Sequence, residues 1–162
     1  MKALLKRLFR RAEPALAPAH PRDAPALAAL HAASFNRGWS EQEFEQLLTD
    51  RNVMADRAAS GRTSVGFILS RRAADEAEIL SVAVARAWRG RGLARRLLDL
   101  HLRRLAGLGL RTVFLEVDEN NTPARRLYAR AGFAEVGRRP GYYAGSGGNA
   151  TAALVLRRDL VV

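Results

Sequence analysis

The sequence contains no cysteine among its 162 residues, which excludes disulfides, thiol nucleophiles and thiolate metal sites. The three histidines, His20, His31 and His101, do not have the spacing of metal ligands, so no metal is expected. The chain also lacks an apolar run long enough to cross a bilayer, and no membrane partner is expected. Since nothing favours an oxidising compartment, the expected location is cytoplasmic.

Lysine is almost absent as well: Lys2 and Lys6 are the only two, and arginine supplies the other 25 of 27 basic residues. The net charge is +11. One explanation is a GC-rich genome that encodes arginine wherever a cation is tolerated. The other is an acidic partner, such as phosphate groups, nucleic acid or a ribosome surface. Both remain open here, although no sequence-specific nucleic acid is expected.

A chain of this length fits one domain with a sizeable core. Residues 1–11 carry five positive charges, and Leu4, Leu5, Leu8 and Phe9 could form an apolar stripe on a helix. The long apolar core of a secretory signal does not follow them. We therefore predict a basic N-terminal extension over residues 1–11 and a single domain over residues 12–162.

Strand-like runs and helical patterns alternate along the chain. Asp23 is predicted to cap a first helix that ends at Phe35, Ser40–Glu43 form a capping box for a second, and Thr122 is predicted to cap the last. A long helix follows Gly92 and ends near Gly107. These elements predict an α/β fold with a mixed central sheet of about seven strands and about four flanking helices. The strand-like runs are 15–19, 52–56, 63–70, 77–84, 111–117, 133–139 and 151–156.

The segment Arg89-Gly90-Arg91-Gly92-Leu93-Ala94-Arg95 lies between a strand-like run and the long helix. In this arrangement backbone N–H groups and a helix N-terminus face an anion, and glycine lets the backbone approach it closely. The spacing is neither the dinucleotide pattern nor the P-loop. From the local pattern alone, such a run is more often a turn or a basic RNA-contacting patch than a site for a cofactor.

Two motifs, in the correct order, resemble those of the GCN5-related N-acetyltransferases (GNAT). Arg89, Gly92 and Ala94 match the signature Gln/Arg-x-x-Gly-x-Gly/Ala, and Asn121 with Ala124–Phe133 matches the second motif. The resemblance covers about residues 15–159 and implies acetyl-CoA as the co-substrate. It also implies that the cofactor-binding residues are Val82, Ala83, Val84, Gly90, Arg91, Gly92, Leu93, Ala94, Arg95 and Asn121.

Within that family, the chain is most similar to the bacterial enzymes that acetylate the N-terminal alanine of ribosomal protein S18. The similarity rests on Trp39-Ser40, on Leu115-Glu116-Val117 and on the segment from Arg138 to Tyr143. It implies that Glu116 is the general base, that Tyr128 is the general acid, and that the acceptor is a protein N-terminus, that of S18. The residues implied to bind this acceptor are Trp39, Tyr142 and Tyr143.

The sequence departs from that group at Gly38, where proline is frequent, at Arg89, where glutamine is frequent, and in residues 144–150, which lack acidic residues. Alternative functions are a GNAT enzyme that acts on a small-molecule amine or a lysine, and a basic ribosome-binding module without catalysis. The pKa of a protein α-amine, about 8 against about 10.4 for lysine, favours the N-terminal acceptor because less deprotonation is required.

The proposed site residues also have structural interpretations. Glu116 alternates with apolar neighbours and is either a solvated strand-end carboxylate or a base. Tyr128 is either a core tyrosine or an acid, and Asn121 either caps a helix or binds the cofactor. In a strand, Tyr142 and Tyr143 point to opposite sides, which predicts one buried and one exposed ring as the alternative to acceptor binding.

Overall fold

A computed structural model of the chain describes residues 12–144 and 149–161, and it shows seven strands and four helices in the predicted order. The predicted basic extension, residues 1–11, lies outside the described residues, as do residues 145–148 of the predicted loop between the last two strands. The strands are β1 (Ala15–Pro18), β2 (Val53–Ser60), β3 (Thr63–Ala73), β4 (Glu76–Val84), β5 (Thr112–Asp118), β6 (Ala134–Ala144) and β7 (Ala150–Asp159). The helices are α1 (Ala24–Ser34), α2 (Glu41–Thr49), α3 (Leu93–Gly107) and α4 (Thr122–Arg130).

The seven strands form one mixed sheet in the order β1-β2-β3-β4-β5-β7-β6. Every neighbouring pair is antiparallel except β4 and β5, which are parallel. A parallel pair needs a crossover, and α3 lies in the connection between these two strands. The predicted fold class is thereby confirmed. Within the described residues, no helix is long and apolar enough to span a membrane.

Helices cover both faces of the sheet. On one face, Leu97 and Leu98 of α3 pack in a buried cluster with Val113, Leu115 and Val117 of β5. On the other face, the cluster joins α1 and α2 to β3 and β4, and its members are Ala24, Leu27, Ala28, Phe44, Ala55, Phe67, Leu69 and Ala83. Since side chains alternate along a strand, Glu116 lies on the face opposite to α3.

The helix starts confirm the capping prediction for α2, confirm it in part for α1 and correct it for α4. Ser40 caps α2 as predicted, because its Oγ accepts a hydrogen bond from the Glu43 N–H at 3.1 Å. Asp23 is the N-cap residue of α1 as predicted, but its carboxylate does not bond the helix amides; it accepts instead from the His20 N–H of the preceding 3₁₀ turn at 2.8 Å. The cap of α4 is Asn121 rather than Thr122, and its Oδ1 accepts from the Ala124 N–H at 3.2 Å.

Candidate active site

The two parallel strands separate in the middle of the sheet. β4 and β5 pair over four positions, from Glu76 opposite Thr112 to Ile79 opposite Leu115. In the pairing of β4 with β3, Leu69 lies opposite Ser81 and Ser70 opposite Ile79, so Leu80 is an extra residue. Such a bulge bends its strand. The C-terminal half of β4, residues 81–84, therefore lines a gap beside the C-terminal half of β5, and the predicted residues Val82, Ala83 and Val84 lie on it.

At the end of β4, a short loop leads into α3. Gly90 and Gly92 have φ angles of 72° and 77°, a region that favours glycine, and an added Cβ at either position would meet no heavy atom within 4 Å. The loop surface above them is therefore open. Gly92 is the N-cap of α3 and has no side chain to cover the first amides of the helix. Arg91 is exposed, and its guanidinium lies 5.1 Å from the centre of the Trp88 ring.

Arg89, the first residue of the loop motif, holds this loop to its surroundings. Its Nε donates to the Val84 carbonyl at 3.0 Å, and its Nη2 donates to the Ser34 hydroxyl at 3.2 Å. The side chain therefore connects the end of β4 with the end of α1. Further along α3, Arg95 pairs with Asp99 at 2.9 Å, and Arg96 pairs with Glu13 at 2.9 Å. Anions approaching the helix N-terminus meet an arginine-rich surface.

Glu116 lies on the part of β5 that extends beyond its pairing with β4. Its side chain is 21% exposed and forms an ion pair with Arg139 of β6, with 3.2 Å between Oε1 and Nη2. The neighbours Leu115 and Val117 are buried on the opposite face. Glu116 is therefore a carboxylate at the edge of the gap, held by one arginine and still reachable from solvent.

Tyr143 of β6 lies near this carboxylate, and Tyr128 of α4 lies near Tyr143. Tyr128 is buried, its ring packs edge-on against Phe133 at 5.7 Å, and burial raises the pKa of its hydroxyl to about 12. Burial also raises the pKa of Tyr143, and the negative charge of Glu116 raises it further. Tyr143 in turn contributes to the raised pKa of Tyr128. Tyr143 thus connects the other two predicted residues, because Glu116 acts on Tyr143 and Tyr143 acts on Tyr128, which packs in the buried cluster on the α3 side of the sheet.

Tyr142 differs from its neighbour because its ring is 53% exposed while Tyr143 is half-buried. The two ring centres are 5.1 Å apart, and the Arg139 guanidinium lies 5.2 Å from the centre of the Tyr142 ring. Tyr142 is exposed beneath Arg139 and Tyr143 feels the negative charge of Glu116, so the irregular pairing of β6 between Arg139 and Tyr143 leaves both rings near the carboxylate. This pair of tyrosines forms an aromatic rim on the Glu116 side of the gap.

The family model described as the acetyltransferase (GNAT) family matches residues 24–133, which include the separating strands, the glycine loop and α4. The chain belongs to the GNAT family of acetyltransferases. This membership confirms the predicted enzyme class, an N-acetyltransferase that depends on acetyl-CoA. The residue roles within the site remain predictions.

Relatives with known names are similar to this GNAT chain over much of its length. The ribosomal protein bS18 alanine N-acetyltransferase of Haemophilus ducreyi is 32% identical over 57% of this chain and 63% of that enzyme. The N-alpha-acetyltransferase RimI of Mycobacterium tuberculosis is 37% identical over 75% of each chain. For several relatives, the match spans between a third and slightly less than two thirds of their length.

Among solved structures, the ribosomal-protein-S18-alanine N-acetyltransferase of Escherichia coli has a TM-score of 0.86 with this chain. It is 24% identical, and the match covers 92% of this chain and 95% of that structure. This likeness shows the shared fold. Together with the named sequence relatives, it confirms the predicted similarity to the S18 group.

Trp39, predicted to bind the acceptor, lies on the α1–α2 side of this GNAT domain. Its ring stacks on His31 with 4.4 Å between the ring centres, and its backbone N–H donates to the His31 Nδ1 at 3.0 Å. Burial lowers the pKa of His31, which keeps that nitrogen free to accept. His31 is thus a supporting residue that the sequence analysis missed. Its place one turn after Leu27, on the buried side of α1, is the signal that could have identified it.

A second polar cluster lies within the core and resembles a hydrolytic triad in its contacts alone. Nε2 of His101 lies 2.7 Å from the Ser70 hydroxyl, and its Nδ1 lies 2.7 Å from the Asp56 carboxylate. Asp56 also pairs with Arg104, so its charge is already balanced. Asp56, Ser70 and His101 are fully buried, and burial lowers the pKa of His101 to about 3. Since no substrate reaches it, this neutral histidine serves to fix α3 on the sheet.

Metal chemistry gains no support from the described side chains, because no group of three or more His, Cys, Asp or Glu residues among them is placed to hold an ion. The groups around the gap are backbone amides, carboxylates, phenols and arginines. Amides and arginines suit a phosphate-bearing ligand, while a carboxylate beside phenols suits the movement of a proton. These two kinds of chemistry lie at opposite sides of the same gap.

Proposed function

We propose that this enzyme transfers the acetyl group of acetyl-CoA to the N-terminal amine of a protein, and that its acceptor is the N-terminal alanine of ribosomal protein S18. The observation that carries the proposal is the position of Glu116 at the edge of the gap, close to Tyr143, which in turn acts on Tyr128. The names of the sequence relatives support the choice of acceptor. The proposed acceptor implies a cytoplasmic enzyme.

The donor would bind through the loop before α3. Its pyrophosphate would accept hydrogen bonds from the amides of residues 90–95, where the helix N-terminus favours negative charge. The open surface above Gly90 and Gly92 leaves room for that contact. The pantetheine arm would lie along the gap-facing edge of β4, where Val82, Ala83 and Val84 offer backbone groups. Asn121 supports this arrangement through its cap of α4.

Glu116 would remove the proton from the acceptor ammonium, directly or through one water molecule. A protein α-ammonium has a pKa of about 8, against about 10.4 for a lysine. The difference of roughly 2.4 units corresponds to about 3.3 kcal/mol of deprotonation at neutral pH. A carboxylate is a modest base. It suits the less basic amine, which supports an N-terminal acceptor over a lysine.

Tyr128 would donate a hydrogen bond to the sulfur as the carbon–sulfur bond breaks. With a pKa raised to about 12, its hydroxyl keeps its proton throughout the physiological range. A thiol has a pKa of about 8.5, so complete transfer of that proton to the thiolate is unfavourable. Stabilisation of the leaving sulfur by a hydrogen bond is therefore the role we assign to Tyr128, and solvent would complete the protonation.

The acceptor peptide would lie on the Glu116 side of the sheet, between the rim of Tyr142 and Tyr143 and the Trp39 region. Residues 144–150 bring no carboxylate to this surface. The end of β5 does bring a second carboxylate to this surface, because the negative charge of Asp118 also acts on Tyr143. Asp118 and Glu116 would thus attract a basic peptide in place of the missing acidic loop residues.

The experiment is acetyl transfer to three acceptors: a peptide with the N-terminal sequence of S18, the same peptide with a blocked N-terminus, and free polyamines. We expect transfer to the free N-terminus alone, and mass spectrometry locates the acetyl group. Equal transfer to the blocked peptide would make the enzyme a lysine acetyltransferase. Transfer to polyamines alone would make it a small-molecule acetyltransferase, which is one of the alternative functions given in the sequence analysis.

A further inference from the structure

Arg139 of β6 and Glu116 of β5 form an ion pair. The two residues come from strands separated by β7, in which Val155 lies opposite both Glu116 and Gly137. Arg139, two residues after Gly137, is therefore on the same face of the sheet as Glu116. Its guanidinium reaches the carboxylate at 3.2 Å. The cation thus occupies one side of the group that we propose as the general base.

Arg139 lies at a point where β6 departs from regular pairing. It is opposite Ala153, whereas Tyr143 is opposite Thr151, so β6 advances four residues while β7 advances two. Gly141, within the extra segment, has a φ of 67°. The Arg139 side chain is 57% exposed and also lies over the Tyr142 ring. It can therefore leave Glu116 without loss of core packing and retain the aromatic contact.

Any acceptor that gives a proton to Glu116 arrives as a cation and must approach the same carboxylate. We propose that Arg139 is a resident counter-ion, displaced by the acceptor ammonium, and that it sets how strongly the site selects for cationic amines. It acts through Glu116 and is therefore a positioning residue. The inference rests on the proposed function, since it takes Glu116 as the base.

Other charged and titratable groups lie near the ion pair of Arg139 with Glu116, and they determine the charge that would remain if Arg139 were replaced. Asp118 and Glu116 of β5 are carboxylates, and Tyr128 and Tyr143 are neutral phenols at physiological pH because burial raises the pKa of each. Tyr142 lies beneath the Arg139 guanidinium. The adjacent Arg138 pairs with Glu119 instead. Removal of the Arg139 charge would therefore leave the negative charge of Glu116 unbalanced and available to an incoming ammonium.

The test compares Arg139→Gln and Arg139→Lys with wild type, using the S18 peptide with a free N-terminus. Near neutral pH and at low salt, we expect Arg139→Gln to lower KM about two- to fivefold, the size of a partly exposed ion pair. Its kcat should change by less than about twofold, and the gain should disappear at about 0.5 M salt, where such pairs are screened. Arg139→Lys should restore the wild-type KM and its weak dependence on salt.

Arg157→Gln is the matched control, because it removes one positive charge from the same face of the sheet. Arg157 pairs with Asp159 at 2.9 Å and lies over Phe114, two residues before Glu116. Its KM should stay at the wild-type value. A second arm raises the pH to about 9, where the α-amine is neutral. The advantage of Arg139→Gln should then vanish, which a purely structural role of Arg139 would not produce.

An unchanged KM in Arg139→Gln, or an increase at both salt concentrations, would overturn the inference. The same holds if the control lowers KM equally, because the effect would then belong to the overall charge. Failure of the proposed function gives a different result, which is transfer by wild type to lysines or polyamines instead of the free N-terminus. Those acceptors are cations too, and the same comparison of KM values with them still decides the role of Arg139.

Discussion

At the scale of single residues, Glu116 allows a test that separates proton removal from other roles. Glu116→Gln keeps the size of the side chain and removes the base. We expect kcat/KM for the peptide to fall about 10²-fold near neutral pH. The loss should shrink above pH about 8, where the α-amine has already lost its proton. Steady-state rates over a pH series measure both effects.

The matched control for this variant is Glu78→Gln. Glu78 is an exposed carboxylate on the same face of the sheet, opposite Phe114 in the paired part of β5. Its substitution should leave the rates at the wild-type level. An equal loss at every pH in Glu116→Gln would show that the carboxylate contributes something other than proton removal.

Tyr128 provides the second residue-scale prediction. Tyr128→Phe should lower kcat by about 10²-fold or less, with little change in the Kd of acetyl-CoA, because the hydroxyl is needed at the leaving sulfur. Since burial raises its pKa to about 12, Tyr128 stays protonated and should cause no loss of wild-type activity between pH about 8 and 10. Stopped-flow or steady-state rates and calorimetric binding test the two parts. Wild-type turnover in the variant would assign Tyr128 to packing against Phe133 alone.

At the scale of elements, the N-terminus of α3 is predicted to hold the pyrophosphate. Gly92→Glu places a carboxylate there, and we expect acetyl-CoA binding to weaken by at least about tenfold through repulsion. The positive φ costs roughly 1 kcal/mol of stability in any non-glycine variant. Gly61→Glu is the control, since Gly61 has a φ of 61° in an open turn between β2 and β3. Calorimetry measures the Kd of acetyl-CoA for both variants. Equal Kd values, at similar Tm, would show that the pyrophosphate binds somewhere other than the N-terminus of α3.

Local signals in the sequence predicted which helices and strands form better than they predicted the first and last residues of each. The capping box at Ser40 and the helical periodicity after Gly92 gave correct starts for α2 and α3, because both depend on neighbours within a few residues. The cap assigned to Thr122 was one residue late, since Asn121 and Thr122 are both good caps by type. β6 is longer than predicted and continues past Pro140, which lies in the irregular segment of an edge strand.

Contacts that depend on strand register could not be predicted in the same way. The pairing of Arg139 with Glu116 requires the order β5-β7-β6, in which the last two strands are reversed relative to the chain. The buried link of His101 to Asp56 and Ser70 likewise joins residues far apart in the sequence. The motif residues around the gap were predictable because they follow the family pattern, whereas these supporting partners follow from tertiary packing.

At the scale of the whole molecule, two buried histidines make the free energy of unfolding depend on pH. Burial lowers the pKa of His31, and that of His101 to about 3, so the unfolded chain takes up these protons first. Stability should be fully present above pH about 6.5 and fall below it, by up to about 1.4 kcal/mol per pH unit for each group. Urea denaturation between pH about 5 and 7.5 measures the slope. His20→Gln, which alters an exposed histidine, should leave that slope unchanged, and a flat profile would contradict the prediction.

The short seam between β4 and β5 also has a consequence for how the molecule opens. Its four paired positions join a half-sheet of β1–β4 to a half-sheet of β5, β7 and β6, while β5 and β7 pair along seven. We expect the two halves to open as separate cooperative units, with faster amide hydrogen exchange along this seam than along the pairing of β5 with β7. A substrate that lies against β4 would act as a substitute strand and join the halves. The sheet would then open between β4 and β5 less often while the ligand is bound, and more often after it leaves.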